Sequence, residues 1–265
     1  MLYGALACIS GELKFLLSIL FCLFLTGCST QSTTGAKSIV AEPPYLLHLP
    51  GIGGHMGIDD ALLRGLREGG ISGTIDLYDW TDIDRGLPAL GNQSRHREQA
   101  SIVARRLSDY ARQHPGSSIT VTCHSAGCGI AAFALEQLPN DVKIDKLLMM
   151  QSALSPKYDL SNALRHVNTA AYSFYSEYDP VLDYGTRGFG TVDRVFTAAA
   201  GRVSYTCPTG GDPRQYQKLA QFSYDDSWLK LGNVGDHIGP MNRRFARDIL
   251  APLLLTGNLP HLSDN

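Results

Sequence analysis

The feature that most restricts the fold of this chain is an apolar strand that runs almost directly into an apolar helix. Residues 117–124 (SSITVTCH) are rich in β-branched residues, which favour a strand. Residues 127–138 are mostly small or apolar, which predicts a buried helix. Only Ser125 and Ala126 separate the two segments, so the connecting turn must be sharp. A buried strand followed at once by a buried helix favours an α/β architecture.

The same alternation extends along most of the chain. Strands are predicted at residues 45–49, 73–80, 117–124, 144–154 and 169–179, with a weak sixth at 202–206, and helices at 59–68, 93–114, 127–138 and 240–255. This order predicts a mostly parallel central sheet covered by helices on both faces. Ligands of such sheets bind outside the carboxyl ends of the strands, so polar residues that follow strands are the functional candidates.

Composition is consistent with one globular domain. The chain has 265 residues, of which 44% are hydrophobic, and a formal net charge of -2. It has no basic stripe, so no nucleic-acid partner is expected. The α/β domain is predicted to span residues 43–265, after a polar linker at 28–42 and a signal peptide at 1–27.

The signal peptide prediction comes from Lys14 and the apolar run that follows it at residues 15–25. This run is too short to span a bilayer and suits the apolar region of a secretory signal. Residues 25–28 (LTGC) resemble the lipobox of bacterial lipoproteins. The resemblance implies that Cys28 becomes a lipidated N-terminus and anchors the protein on the periplasmic face of a bacterial membrane. The later cysteines, Cys123, Cys128 and Cys207, are odd in number and are expected to be mostly buried thiols.

Ser125 in the stretch CHSAGCG is the first candidate for chemistry. A sharp strand-to-helix turn places a serine hydroxyl above the end of the strand and strains its backbone. The N-terminal dipole of the next helix favours negative charge at that point. The alternative is a capping serine at a buried junction.

The motif CHSAG, followed in the chain by an acid and then a histidine, resembles the α/β-hydrolase family, whose nucleophile motif is G-x-S-x-G. Cys123 departs from that motif by replacing its first glycine. The resemblance implies an α/β-hydrolase fold with Ser125 as nucleophile. It also implies little or no lid, because the segment at residues 152–168 is short.

The resemblance implies Asp179 as the triad acid and His237 as the base. Asp179 follows a predicted strand and precedes Pro180, although an ordinary turn aspartate would also suit that place. His237 lies in a glycine-rich loop before the final helix, where the family keeps its base. The rival acids and histidines fit less well by position: Glu177, Asp183, Asp193, His48, His96, His114, His124, His166 and His261.

The loop LHLPGIGGH, after the first strand, resembles the oxyanion loop H-G-x-G-G of lipases and esterases. Pro50 stands where that motif has its histidine. The resemblance implies that the backbone N–H groups of Ile52 and Ala126 form the oxyanion hole. A simple glycine turn is the alternative.

Together these motifs predict a serine hydrolase that cleaves carboxylic esters through a Ser-His-Asp triad and an acyl-enzyme. A thioesterase or amidase with the same triad stays open, as does a lipoprotein that uses the fold only for binding. No zinc-ligand spacing or phosphate-binding glycine motif is found, so neither metal nor cofactor is expected. The open site favours small-molecule ester substrates.

Overall fold

Six parallel strands form the centre of the protein in the computed structural model, which describes residues 42–82 and 84–260. The strands are β1 (Tyr45–Leu49), β2 (Thr74–Leu77), β3 (Ile119–His124), β4 (Ile144–Met150), β5 (Val167–Tyr175) and β6 (Leu219–Ser223). Their order is β2-β1-β3-β4-β5-β6, and every pair of neighbours is parallel. The predicted α/β class with a parallel sheet is therefore confirmed.

Helices cover both faces of this sheet. They are α1 (Gly57–Glu68), α2 (Leu87–Gly91), α3 (Gln93–Gln113), α4 (Gly127–Leu135), α5 (Ser161–Arg165), α6 (Pro180–Phe189), α7 (Ala200–Val203), α8 (Pro213–Tyr216), α9 (Arg243–Phe245) and α10 (Ala251–Thr256). Helices α3 and α4 pack into one core cluster, and helices α1, α9 and α10 pack into the other. The segment between β4 and β5, predicted to be too short for a lid, contains only the helix α5.

The strands alternate between the two core clusters. On β4, Leu147 and Met149 join the cluster of α3 and α4, whereas Leu148 and Met150 join the other. All four side chains are fully buried. A strand covered on both faces needs apolar residues at every position, which explains the continuous apolar runs of the sequence.

Two predicted elements differ from the observed ones. The sixth strand is Leu219–Ser223, and the predicted strand at residues 202–206 is instead the end of helix α7 and an extended segment. The edge strand β6 is only partly buried and contains polar residues, so it lacks the apolar run of the central strands. The predicted closing helix at 240–255 is broken into α9, a π-helical turn at Ala246–Leu250, and α10.

The predicted signal peptide at residues 1–27, the lipidated Cys28 and nearly all of the linker at 28–42 lie outside the described residues. The boundaries of these segments stay predictions. None of the helices in the described part combines the length and the apolar character that crossing a bilayer requires.

Candidate active site

Ser125 occupies a strained turn between β3 and α4. Its φ of 53° lies in the left-handed region, which is uncommon for a residue other than glycine. The turn is held by its backbone: the Ser125 N–H donates to the Met150 carbonyl at 3.0 Å, and the Ser125 carbonyl accepts from the Ala153 N–H at 3.1 Å. The end of β4 therefore fixes a conformation that the serine would not adopt alone.

Gly127 lets the helix begin close beneath this turn. A Cβ at Gly127 would lie 2.3 Å from the Pro50 carbonyl oxygen and 2.5 Å from that of Leu49. Only a residue without a Cβ permits such an approach. The turn at Ser125 and the loop after β1 are thus in direct backbone contact.

Cys123, which stands in place of the first glycine of the G-x-S-x-G motif, is fully buried on β3. Cys123, Cys128 and Cys207 are all free, and Cys207 is exposed. Burial, and then the neighbouring Cys128 thiol, raises the pKa of the Cys123 thiol well above its ordinary value. Because the thiolate is the reactive form, Cys123 is not a competing nucleophile.

Asp179 and His237 are joined by a partly buried hydrogen bond. The His237 Nδ1 lies 2.7 Å from the Asp179 Oδ2, and the Asp179 side chain is fully buried. Asp179 also caps helix α6, because its Oδ1 accepts from the Leu182 N–H at 2.9 Å. A carboxylate only accepts, so the His237 Nδ1 carries a proton and donates it to Asp179.

The Ser125 hydroxyl forms no hydrogen bond within the described residues. Its neighbour His124 contacts the loop that contains His237: the His124 Nε2 donates to the His237 carbonyl at 2.8 Å, and the centres of the two imidazole rings lie 4.7 Å apart. Asp179 and His237 are therefore in direct contact, whereas Ser125 and His237 are connected through His124.

His124 and Gln151 were not identified from the sequence as part of the site. The Gln151 Nε2 donates to the Asp236 carbonyl at 3.1 Å, so consecutive carbonyls of the His237 loop are held by the last residue of β3 and the first residue after β4. Burial, and then the nearby His237, lowers the pKa of His124 well below its ordinary value and keeps it neutral. The only sequence signal for either residue is its place directly at the carboxyl end of a strand.

The loop after β1 lies against the turn at Ser125. A Cβ on Gly51 would lie 3.2 Å from the Ser125 Cβ. The loop is held by the Trp80 Nε1, which donates to the Pro50 carbonyl at 2.7 Å, and by the Gly86 N–H, which donates to the Ile52 carbonyl at 2.7 Å. Within the described residues, the backbone N–H groups of Ile52 and Ala126 donate to no other group. Ala126 is fully buried, and Ile52 is partly exposed.

A further Asp–His pair, fully buried, lies on β1 and helix α1 next to this loop. The His48 Nε2 lies 3.0 Å from the Asp59 Oδ1, and the His48 Nδ1 lies 2.9 Å from the Thr122 Oγ1. The Asp59 Oδ2 also accepts from the Met56 N–H at 2.8 Å, at the start of helix α1. Both members of the pair are buried. The pair connects β1, β3 and α1 below the loop, and it is closed to a substrate.

Comparison with known proteins supports the fold assignment. The sequence matches no protein-family model and no curated protein. Among solved structures, lipase B of Aspergillus fumigatus is similar with a TM-score of 0.51 and 11% identity, over 82% of this chain and 53% of that one. This chain thus spans about half the length of that lipase.

Two further structures are similar at TM-scores of 0.46 and 13% identity. They are the ydeN gene product of B. subtilis, matched over 80% of this chain and all of that one, and Est1E of Butyrivibrio proteoclasticus, matched over 83% and 90%. Identities this low concern the fold alone. The parallel sheet, its helices on both faces and the strained serine turn after β3 give this chain the α/β-hydrolase fold.

Proposed function

We propose that this protein is a serine hydrolase that cleaves carboxylic esters through an acyl-enzyme, with Ser125, His237 and Asp179 as its triad. The observation that carries the proposal is the partly buried hydrogen bond between Asp179 and His237, because the backbone of the His237 loop also accepts a hydrogen bond from His124, the residue next to Ser125. A histidine oriented by a carboxylate beside a strained serine is the arrangement that nucleophilic acyl transfer requires.

Each residue of the triad has a defined role in the reaction. The His237 Nε2 takes the proton of the Ser125 hydroxyl as the oxygen attacks the ester carbonyl. The tetrahedral intermediate collapses, and His237 passes the proton to the departing alcohol. Water then attacks the acyl-enzyme with His237 again as base, which releases the acid and restores Ser125. Asp179 keeps the proton on Nδ1 and stabilises the imidazolium.

The oxyanion of the intermediate is assigned to the backbone N–H groups of Ile52 and Ala126. Neither group has an acceptor among residues 42–82 and 84–260, and a backbone donor is fixed before the reaction begins. Removing one donor of this kind typically lowers the rate by about 10²–10³. The contact between Gly127 and the Pro50 carbonyl keeps the two segments together.

A fluorophosphonate probe, which reacts with activated serines, tests this proposal. We expect the purified wild type to be labelled and Ser125→Ala to lose all labelling. Ser108→Ala is the matched control, because Ser108 is also buried but donates to the Ala104 carbonyl within helix α3. Wild-type protein that is folded but not labelled would contradict the proposal.

We place the enzyme in the cell envelope, anchored by a lipid on Cys28. The apolar run at residues 15–25 and the four-residue match at 25–28 support this location. Labelled palmitate should be incorporated into the wild type and not into Cys28→Ala. Incorporation that survives the substitution would exclude the anchor and leave the catalytic proposal intact.

A further inference from the structure

We propose that Gln151 is a positioning residue for His237 and sets where its imidazole lies during proton transfer. Gln151 is the first residue after β4 and is 1% exposed. Its Nε2 donates at 3.1 Å to the carbonyl of Asp236, the residue directly before His237. Because Gln151 is buried, it would act through the backbone of this loop and not by contact with a substrate. The inference rests on the proposed function and adds to it a residue that controls the base.

The backbone of Gln151 is held in a conformation that glutamine rarely adopts. Its φ of 46° lies in the left-handed region, as does that of Ser125 at the end of the neighbouring strand β3. The Gln151 N–H donates to the Phe174 carbonyl at 3.0 Å, and a Cβ on Gly201 would lie 2.3 Å from the Gln151 carbonyl carbon. Two other parts of the chain therefore keep the strained backbone in place. Strain that the surroundings maintain in this way is typical of functional sites.

Only one half of the Gln151 amide is hydrogen-bonded. Its Oε1 is buried and has no donor among residues 42–82 and 84–260. A buried polar atom without a partner is destabilising. Turning the amide over would bring Oε1 to the Asp236 carbonyl, and two acceptors cannot form a hydrogen bond. A glutamine with a strained backbone and an unpaired oxygen is a poor choice for stability alone, so the bond from Nε2 to the loop is what this position provides.

Gln151 and His124 together fix two consecutive carbonyls of this loop. The His124 Nε2 donates to the His237 carbonyl at 2.8 Å, next to the Asp236 carbonyl that Gln151 holds. The same two strand ends hold the candidate nucleophile. Ser125 follows His124 directly, and the Ser125 N–H donates to the last carbonyl of β4 at 3.0 Å. A shift of the loop on these strand ends would therefore change the distance between His237 and Ser125.

The two proton transfers of the acylation step depend on the position of His237 to different degrees. The attack of Ser125 on any ester needs a base to take the hydroxyl proton. Only a poor leaving group also needs an acid, because ethoxide must be protonated as it departs, whereas p-nitrophenolate leaves as an anion. A displaced His237 should therefore affect an ethyl ester more than a p-nitrophenyl ester of the same acid. A general loosening of the fold would affect both esters equally.

Gln151→Met tests this inference, because methionine is similar in size to glutamine and cannot donate to the loop. Gln99→Met is the matched control. Gln99 is also buried, at 7% exposure, but lies on helix α3 and accepts from the Tyr78 hydroxyl at 2.6 Å. The measurements are Tm and the kcat/KM values for p-nitrophenyl butyrate and ethyl butyrate.

We expect Gln151→Met to lower kcat/KM about tenfold for the p-nitrophenyl ester and about 100-fold for the ethyl ester. Gln99→Met should lower Tm by a similar amount and change kcat/KM for either ester less than about twofold. Gln151→Asn decides the question if the methionine variant does not fold. Asparagine tolerates the left-handed region, but it is one methylene shorter and its amide falls short of the Asp236 carbonyl. It should show the same tenfold difference between the two esters.

The failure of this inference can be distinguished from the failure of the proposed function. If the wild type cleaves both esters and the Gln151 variants lose the same factor on each, or lose no more than Gln99→Met, the positioning role is wrong and the proposed function stands. A wild type that cleaves neither ester and takes up no fluorophosphonate overturns the proposed function and, with it, the role of Gln151.

Discussion

The contact between Gly127 and the loop after β1 can be tested by adding a single methyl group. In Gly127→Ala the new Cβ would lie 2.3 Å from the Pro50 carbonyl oxygen, whereas ordinary contacts begin at 3.4 Å. The two backbones must therefore separate by about 1.1 Å. The alanine itself suits the position, because Gly127 begins helix α4 and has no positive φ. The whole effect would come from the clash.

Two losses should follow from this separation. Overpacking of this kind typically destabilises a protein by about 1–3 kcal/mol, which lowers Tm by roughly 5 °C in a chain of this size. The displacement also moves Ile52 relative to Ser125, and a misplacement of about 1 Å can reduce a rate about 100-fold. We therefore expect kcat to fall far more than the stability loss alone would predict.

The assay compares Gly127→Ala with Gly185→Ala by thermal unfolding and by hydrolysis of p-nitrophenyl butyrate. Gly185 lies within α6, and a Cβ there meets nothing within 4 Å. Its alanine variant should be about 0.4–1 kcal/mol more stable than the wild type, with unchanged kcat. If Gly127→Ala keeps both the wild-type Tm and a kcat within twofold, the steric argument is wrong.

Further predictions concern the cysteine and histidines of the site. Cys123→Gly should retain fluorophosphonate labelling, whereas Cys123→Leu should overpack a fully buried position and lose labelling along with about 1–3 kcal/mol of stability. His124→Phe should lower kcat about tenfold with little change in KM, because the His237 carbonyl loses its donor, and His124→Gln should restore part of the rate. Burial lowers the pKa of both His124 and His96. Below about pH 6.5 the unfolded chain then binds more protons than the folded one. The free energy of unfolding should therefore decrease as the pH is lowered. In urea titrations from pH 7 to 5, His96→Phe should weaken this dependence, and an unchanged slope would contradict it.

The sequence was most informative where a residue's role depends on its place along the chain. Ser125 directly follows β3 and Asp179 lies four residues beyond the end of β5, and parallel strands end at one edge of the sheet. That both residues lie at this edge could therefore be predicted without knowing any contact. The apolar pattern of the sequence did not predict β6, because β6 is a partly buried edge strand that contains polar residues and lacks an apolar run.

The direction of a side chain could not be predicted in the same way. By its position His124 fits the site less well than His237, yet its imidazole contacts the His237 loop, far along the chain. The helices α9 and α10, which follow this loop, belong to the core cluster on the other face of the sheet from α3 and α4. Neither periodicity nor composition contains that information.

The turn at Ser125 is held by parts of the chain that are far apart in sequence. Its backbone is bonded to the end of β4, and its first helical residue contacts the end of β1. Parallel strands pair slowly during folding, because long loops must close before their contacts form. The left-handed conformation of Ser125 is therefore stable only after three separate strands have assembled. Fluorophosphonate labelling during refolding would consequently time the assembly of these three strands rather than the growth of any local element.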